Sequence, residues 1–405
     1  MTEVLAEFPA PENFSSPDLL IIAGEHSGDQ HAARLVKRMK VKAPNLRVCA
    51  FGGPELRQSD VDFIYDMMAH SVVGFVEVLK HYKELKAVFN NILTWIDVYR
   101  PKAICFVDYP GFNLRLAQEL FNRRLSIKGG GTMQLFYYIA PQVWAWKPKR
   151  RFKMAKTLDA LGVIFPFESS CFSDTDLPTS FVGHPLVDEE EDLPIAYDGK
   201  GPLLLLPGSR RQAVSRIFPV MLRTFAALLE DHPDERALVI YPNDSIRDVL
   251  LHHLDRYPAL KECVALEADD PSKRHCAKFT LTSSGTMSLV CALAGIPGLI
   301  VYRANPLTYL IGRILVNIQY LGIANILLDE EVMPEFIQGN ATVPMLLRHV
   351  KLGLEPEKGR QKALEVEARL RKLLACPKGF LSADEWLLFF MKTTHHIFEK
   401  VQEEA

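Results

Sequence analysis

The sequence lacks the features of several common protein classes. Its 7 cysteines are scattered over 405 residues without a Cys-X-X-Cys pair, which argues against a disulfide scaffold and favours a reduced, cytoplasmic compartment. It has no run of about 18 apolar residues, so we expect no membrane-spanning helix. The formal net charge is only -2, so the chain has no overall positive charge that would attract nucleic acid. Residues 1–17 are interrupted by proline and are predicted to be an irregular extension rather than a targeting peptide.

What remains is the composition of a globular protein with a large core. Hydrophobic residues make up 48% of the chain and charged residues 24%. Short, almost continuous apolar runs alternate with amphipathic stretches such as His31–Lys42 and Leu114–Arg124. In the first half these runs are Asp18–Gly24, Leu46–Phe51, Ala103–Val107, Gln134–Ile139, Ala160–Phe165 and Ser180–Gly183. Continuous apolar strands are covered on both faces, so the pattern predicts an α/β domain with a doubly wound parallel sheet.

An acidic run at 188–192 interrupts the pattern, which then restarts at Pro202–Leu206. We therefore predict a first domain over 18–190 and a second over 191–383. In the second half, Ala237–Tyr241, Phe279–Thr282 and Gly298–Tyr302 are predicted strands, and Ser215–Leu229 and Met287–Ala294 are predicted helices. Two α/β halves predict a ligand between them. The tail 384–405 is a predicted amphipathic helix with Trp386 on its apolar face.

Two motifs of the first half follow predicted strands. In Ala23–Asp29, Gly24 and Gly28 allow a tight turn before a helix whose N-terminus can bind an anion, while Ser27 or Asp29 can equally be an ordinary N-cap. Asp108 opens the segment Asp-Tyr-Pro-Gly-Phe-Asn at the carboxyl end of a strand, where ligands of α/β sheets bind. It is either a general base or part of a turn, and the motif alone slightly favours the turn.

Two further stretches suggest an anionic or lipid partner. Trp144 and Trp146 stand beside Lys147, Lys149, Arg150 and Arg151, which favours an anionic ligand or a membrane surface over simple packing. Met67–Leu85 carries apolar residues at helical spacing. A core helix is the more common explanation for such a stretch, and an interfacial helix is the alternative.

The second half carries two candidate phosphate loops. Leu206–Arg210 reads Leu-Pro-Gly-Ser-Arg and supplies a guanidinium, and Ser283–Thr286 supplies hydroxyls and backbone N–H groups at a helix start. Together they predict a nucleotide or nucleotide-sugar site. We predict no metal site, since the adjacent histidine pairs 252–253 and 395–396 face apart on a helix and Asp174-Thr-Asp176 follows no apolar strand.

As a set, these segments resemble the bacterial lipid-A-disaccharide synthase family. The matching stretches run in family order from about residue 19 to 340: AGEHSGDQHAARL, VVGFVEVLKH, DYPGFNLRLA, APQVWAWKPKR, VGHPLVD, LLPGSRRQ, SSGTMSLVCALAGIPGLIVYR and ANILLDEEVMPEFIQ. The resemblance implies a GT-B fold, in which two Rossmann-like domains face a cleft and a C-terminal helix packs back on the first.

The resemblance also implies an activity. The enzyme would be an inverting, UDP-dependent hexosyltransferase without cofactor or metal. It would transfer 2,3-diacylglucosamine from UDP-2,3-diacylglucosamine to 2,3-diacylglucosamine 1-phosphate (lipid X). The products would be the lipid A disaccharide 1-phosphate and UDP. The expected location is peripheral, on the cytoplasmic face of the inner membrane of a Gram-negative-type bacterium, and a homodimer is left open.

Residue roles follow from the same resemblance. Asp108 matches the general base, and Arg210 would neutralise the departing UDP. The expected UDP-binding residues are Gly208, Ser209, Arg210, Ser284, Gly285, Thr286, Asn325, Glu335 and Gln338. The expected acceptor-side residues are Gly24, Glu25, Ser27, Gly28, Asp29, Asn113, Trp144 and Trp146. The expected membrane-facing residues are Val72, Val73, Phe75, Val76 and Leu79, which makes the interfacial interpretation of that stretch the better one.

The chain departs from the family pattern at four positions. Val290 and Ala213 replace glutamates, Ala32 replaces a glycine and Ala324 replaces a proline. Loss of a glutamate that hydrogen-bonds a ribose weakens donor binding by about 1–3 kcal/mol. Two alternatives therefore stay open, a diverged non-catalytic lipid-binding paralogue and another UDP-sugar enzyme on the same fold.

Overall fold

A computed structural model describes residues 8–12, 16–68, 78–187, 193–270, 272–305, 309 and 318–392; for 78–83 and 356–358 it describes the backbone alone. The chain divides into two compact units, Met1–Pro185 together with Cys376–Ala405, and Leu186–Ala375. The first change of unit precedes the acidic run 188–192, and the return at Cys376 precedes the C-terminal helix.

Unit 1 contains a seven-stranded sheet in the order β3-β2-β1-β4-β5-β6-β7. Every strand pair in it is parallel. The strands are β1 (Leu19–Ala23), β2 (Val48–Gly52), β3 (Asp62–Asp66), β4 (Ala103–Val107), β5 (Gln134–Tyr138), β6 (Ala160–Val163) and β7 (Thr179–Phe181). The described helices before the second unit are α1 (His26–Lys42), α2 (Pro54–Arg57), α3 (Val78–Tyr99), α4 (Pro110–Asn122) and α5 (Arg150–Thr157).

The core of unit 1 forms around the strands that the sequence shows as continuous apolar runs. β1, β2, β4 and β5 are buried along their whole length, because helices cover both faces of a parallel sheet. Within unit 1, β3 is the one described strand that the sequence analysis missed. It is an edge strand with the sequence Asp-Phe-Ile-Tyr-Asp, and Ile64 is its one fully buried residue.

Unit 2 contains a six-stranded parallel sheet in the order β11-β10-β9-β13-β14-β15 and a separate β12-β8 pair. The strands are β8 (Ile195–Tyr197), β9 (Leu203–Leu206), β10 (Ala237–Tyr241), β11 (Val264–Ala268), β12 (His275–Ala277), β13 (Phe279–Thr282), β14 (Gly298–Tyr302) and β15 (Glu335–Ile337). Its described α-helices are α6 (Arg211–Leu229), α7 (Asp244–Leu254), α8 (Thr286–Leu293), α9 (Ile323–Leu328), α10 (Val343–Gly353) and α11 (Pro356–Leu374). Short 3-10 helices in the two units span Ile127–Gly129, Pro166–Phe172, Pro185–Val187, Pro258–Leu260 and Gln338–Asn340.

Helix α6 is the one described helix that is long and apolar enough to cross a membrane by length and composition. Half of its most apolar window is buried inside the protein. Phe218, Met221 and Phe225 lie in the core of unit 2, where they pack with β9 and β10 residues. Its apolar face therefore has partners within the unit, as expected for a core helix.

The C-terminal helix α12, residues 383–392, belongs to unit 1. Trp386 is fully buried, with its ring 6.1 Å from that of Phe136. A Cβ at Gly162 would lie 3.1 Å from the Trp386 ring, so glycine makes room for this contact. Asp384 at the start of the helix binds Arg38 and Lys42 of α1 at 3.2 and 2.8 Å. The expectation that the C-terminal helix packs on the first domain is confirmed.

Candidate active site

The strand order of the unit 1 sheet reverses at its centre, between β1 and β4. β1 and β4 are neighbours, with Ala23 paired to Val107, and successive strands lead away from them to opposite sides. Ligands of doubly wound sheets bind outside the carboxyl ends of the strands at such a switch point. The loops that follow β1 and β4 contain Glu25 and Asp108, so two sequence-predicted motifs meet here.

Asp108 occupies a left-handed turn that three hydrogen bonds hold. Its φ is +47° and that of Tyr109 is +51°, a conformation that Asp tolerates better than most residues. The Asp108 carbonyl accepts hydrogen bonds from the Tyr137 hydroxyl at 2.6 Å and from the Asn113 amide at 2.8 Å. Its own N–H donates to the Tyr138 carbonyl at 3.1 Å. The carboxylate is therefore presented from a fixed backbone.

The environment of Asp108 makes its carboxylate more basic than usual. Burial is the main cause that raises the pKa to about 6, and the charge of Glu25 raises it further, while the Tyr109 N–H opposes both. A carboxylate with a pKa near 6 is largely ionised at neutral pH and still accepts a proton readily. This arrangement can deprotonate a hydroxyl group.

Two glycines allow the start of α1 to approach Asp108. A Cβ at Gly24 would lie 2.2 Å from the Tyr109 ring, so only glycine fits there. A Cβ at Gly28 would lie 3.4 Å from the Val107 carbonyl oxygen and 3.7 Å from the Asp108 Cβ. Helix α1 begins at His26, which makes Glu25 its N-cap. The alternative that Ser27 or Asp29 caps this helix is therefore wrong.

Asp29 and Asn113 have structural roles in this centre. The fully buried Asp29 carboxylate accepts the N–H groups of Gly53, Glu55 and Leu56 at 2.8–3.3 Å and so caps α2. The buried Asn113 amide donates to carbonyls of both central strands as well as to Asp108. Both side chains are fully buried in the protein. This corrects the expectation that they contact the acceptor substrate. They hold the start of α2 and the turn at Asp108 in place.

The two tryptophans of the basic motif differ in exposure. Trp144 donates its indole N–H to Glu168 at 3.2 Å, and burial raises the pKa of this carboxyl to about 7. Trp146 is 40% exposed, with the Lys147 ammonium 5.2 Å from its ring centroid. Trp146 can therefore contact a ligand or a lipid surface, whereas the polar edge of Trp144 is used internally. Neither Glu168 nor Tyr137 was singled out by the sequence analysis, because Tyr137 lies within an apolar strand and Glu168 in a short helix without a recognisable motif.

In unit 2 the two predicted phosphate loops lie side by side. Leu206 at the end of β9 pairs with Thr282 at the end of β13, and the Ser283 N–H donates to the Leu206 carbonyl at 2.8 Å. Gly208 has a φ of +111°, and a Cβ there would lie 3.3 Å from the Ser283 hydroxyl oxygen. The turn at this position therefore requires glycine.

Both loops lead into helix N-termini. α6 starts after Arg210 and α8 starts after Gly285, and neither N-cap residue makes a side-chain cap hydrogen bond. Ser209, Arg210, Gly285 and Thr286 are exposed, and Arg210 forms no ion pair with any described residue. Backbone N–H groups and a guanidinium that are open to solvent can together bind a diphosphate.

The other three expected UDP-binding residues use their side chains internally. Glu335 accepts the N–H groups of Leu321 and Gly322 and the Asn325 amide, each at 2.8–2.9 Å. Asn325 is fully buried and also pairs with the Met333 backbone, and Gln338 pairs with the Ala304 backbone. These contacts hold the segment around α9 together. The predicted contact of these three residues with UDP stays a prediction.

The departures from the family pattern lie in packed positions. Val290 in α8 is 3% exposed, and Ala32 and Ala324 are fully buried. Ala213 in the first turn of α6 is half-buried. Of the predicted membrane-facing residues, 72, 73, 75 and 76 lie outside the described residues, as does the side chain of Leu79.

Comparison with known proteins identifies the relatives of this chain. Residues 19–378 match the family model described as lipid-A-disaccharide synthetase. The chain is 33% identical to lipid-A-disaccharide synthase 1 of Legionella pneumophila over 341 residues, which cover 82% of this chain and 86% of that protein. It is 34% identical to lipid-A-disaccharide synthase of Geobacter metallireducens, with 88% and 92% covered.

Solved structures with the same fold are much more distant in sequence. UDP-GlcNAc 2-epimerase from Neisseria meningitidis, bound to UDP-GlcNAc, aligns with a TM-score of 0.56 at 9% identity and covers 95% of this chain and 99% of its own. Sucrose-phosphate synthase from Thermosynechococcus elongatus aligns with a TM-score of 0.52 at 13% identity, with 96% and 100% covered. These likenesses show a GT-B fold with two Rossmann-like domains.

Proposed function

Because this chain belongs to the lipid-A-disaccharide synthase family, we propose that it is the UDP-dependent glycosyltransferase that joins two acylated glucosamines. The donor is UDP-2,3-diacylglucosamine and the acceptor is 2,3-diacylglucosamine 1-phosphate. The acceptor 6-hydroxyl attacks the anomeric carbon of the donor, and the bond from that carbon to the UDP oxygen breaks. The products are the β-1,6-linked disaccharide 1-phosphate and UDP, with inversion at the anomeric carbon.

Asp108 is the general base of this reaction. Its carboxylate takes the proton of the attacking 6-hydroxyl, for which burial and the neighbouring Glu25 raise its pKa to about 6. The held left-handed turn keeps the carboxylate in place. This residue, a partly buried and abnormally basic carboxylate at the switch point of unit 1, is the observation that carries the proposal.

Unit 2 binds the donor through its two phosphate loops. Arg210 and the N–H groups at the start of α6 and α8 stabilise the negative charge that develops on UDP as it leaves. Ser209, Ser284 and Thr286 add hydroxyl donors around the same loops. In this account the arginine supplies the positive charge, and the reaction proceeds without a metal ion.

The acylated substrates place the enzyme at a lipid surface. We propose peripheral association with the cytoplasmic face of the inner membrane, with the 67–85 stretch and the exposed Trp146 beside its basic residues in contact with lipid. Both substrates are amphiphiles, so binding at this surface brings the enzyme to them.

The pH dependence of kcat/KM tests the role of Asp108. We expect activity to fall below a pKa near 6, because the base must be ionised. Glu25→Gln removes a neighbouring negative charge and should move this acid limb to lower pH. Asp108→Asn should lose about 10²–10⁴-fold in kcat. The exposed Asp176→Asn serves as the control, and an unchanged rate in Asp108→Asn would exclude Asp108 as the base.

A further inference from the structure

A groove that is lined in part by Tyr109, the residue after Asp108, has no role in the mechanism described so far. It has a volume of 530 Å³ and lies between α3 and α4. Its apolar wall consists of Leu85, Phe89 and Leu93 from α3 together with Tyr109 and Phe112. This volume is within the range of about 300–1,000 Å³ that is typical of small-molecule sites.

The groove includes the residue that follows the candidate base in the chain. This residue, Tyr109, is one of its lining residues. The Tyr109 ring stacks on Phe112 with centroids 5.6 Å apart, and Phe112 meets Phe89 edge-on at 5.3 Å. One aromatic surface thus leads away from the reacting position, and Leu85, which is 42% exposed, extends it along α3.

Positively charged side chains also line this groove. Lys86, Arg115 and Arg123 line it. Arg123 is paired with Glu119 at 3.0 Å, whereas the exposed Arg115 forms no ion pair with any described residue. Arg115 lies five residues after Pro110, which is about 7.5 Å along the axis of α4. Arg115, which has no ion-pair partner among the described residues, thus lies within the first two turns of α4, beside an apolar wall.

The chemistry of the acceptor matches this layout. In 2,3-diacylglucosamine 1-phosphate the reacting 6-hydroxyl is at one end of the sugar, and the phosphate and both acyl groups are on carbons 1 to 3 at the other. We propose that the groove between α3 and α4 is the acceptor subsite, with Arg115 binding the 1-phosphate and an acyl chain lying against Leu85, Phe89 and Phe112. The inference rests on the proposed function, because Asp108 must receive the 6-hydroxyl.

The phosphate contact is tested with two acceptors, one with and one without the 1-phosphate. Arg115→Gln should raise the KM for the phosphorylated acceptor by about 10- to 100-fold, leave kcat and the donor KM unchanged, and have no effect on the acceptor without phosphate. Arg115→Lys keeps the charge and should recover part of the loss. The exposed Arg124→Gln, beyond the end of α4, is the matched control. An equal effect of Arg115→Gln on both acceptors, or none on either, would overturn the assignment.

The acyl contact is tested by filling the groove. Gly111 lines it, and a Cβ there meets nothing within 4 Å, so Gly111→Phe adds a ring at the wall of the groove without a clash at Cβ. Each buried methylene is worth about fourfold in affinity, so the rise in acceptor KM should grow with acyl-chain length. Gly111→Ala should give a smaller rise. A loss in Gly111→Phe that is independent of chain length would contradict the acyl subsite.

The two proposals fail in different ways. If the wild-type protein makes disaccharide but the Arg115 and Gly111 variants behave like wild type, the groove is not the acceptor subsite and the proposed function stands. If the wild type makes no disaccharide, the proposed function fails, and equilibrium binding of lipid X micelles to the same variants decides the groove by itself.

Discussion

Replacing the candidate base should make the protein more stable while it abolishes activity. The pKa of Asp108 rises from 3.8 to about 6, a difference of about two units, and each unit corresponds to 1.36 kcal/mol. Ionised Asp108 therefore costs the folded state up to about 3 kcal/mol at pH 7. Asparagine carries no charge, accepts the Tyr109 N–H as the carboxylate does, and tolerates a φ of +47°.

The raised pKa also determines how the stability difference between Asp108→Asn and the wild type changes with pH. A carboxyl whose folded-state pKa is raised costs nothing well below its unfolded-state pKa of 3.8, where it is protonated in both states, and costs little near pH 4. Its cost grows as the pH rises from about 4 to about 6, and it is constant above that range. Asp108→Asn should thus match the wild type near pH 4 and exceed it at pH 7.5.

The assay is thermal unfolding of wild type and Asp108→Asn at pH values from 4 to 8. In a unit of roughly 200 residues, 1 kcal/mol shifts Tm by about 2–4 °C, so the gain at pH 7.5 has an upper bound of about 6–12 °C. The exposed Asp176→Asn removes the same charge and should follow the wild type at every pH. If the Tm of Asp108→Asn and the Tm of the wild type change with pH in the same way, burial does not destabilise the ionised Asp108 carboxylate and the reasoning is refuted.

Three further substitutions test single steps of the account. Arg210→Ala should lower kcat about 10²–10³-fold with the Tm unchanged, and Arg210→Lys should recover part of the lost kcat. If Arg210→Ala and the wild type have equal kcat values in steady-state assays, the role of Arg210 at the leaving group is contradicted. Asp29→Ala leaves the N–H groups at the start of α2 without their acceptor and should cost about 1–3 kcal/mol, seen as a lower Tm with an unchanged Kd for UDP; a normal Tm would remove its structural role. Val290→Glu places a carboxylate at a position that is 3% exposed and should lower the Tm, whereas tighter UDP binding in calorimetry at an unchanged Tm would show that this position reaches the donor.

Continuous apolar runs made most of the fold predictable. β1, β2, β4 and β5 have buried residues throughout, so their sequences carry a strong signal. β3, which has a single buried residue at the sheet edge, and the three-residue strand β15 carry little signal in the sequence. Their place is decided by the neighbouring strands with which they pair.

The sequence predicted which loops form the candidate site, but not what each polar side chain in them does. The glycine-rich and acidic motifs after apolar strands lie in loops at the carboxyl ends of both sheets, as predicted. Whether a polar side chain in such a motif faces a ligand depends on partners far away in the sequence. Asp29 finds its N–H donors 24 to 27 residues later, and Asn113 reaches a carbonyl 91 residues earlier. No local pattern distinguishes these positioning residues from Asp108.

The central claim is that this chain joins two acylated glucosamines with Asp108 as the base. The most direct measurement incubates the protein in detergent with UDP-2,3-diacylglucosamine, radiolabelled lipid X and EDTA, and separates the products by thin-layer chromatography. The account predicts a β-1,6-linked disaccharide 1-phosphate and UDP from the wild type, formed about 10²–10⁴-fold more slowly by Asp108→Asn. A folded, UDP-binding wild-type protein that forms no disaccharide would contradict it.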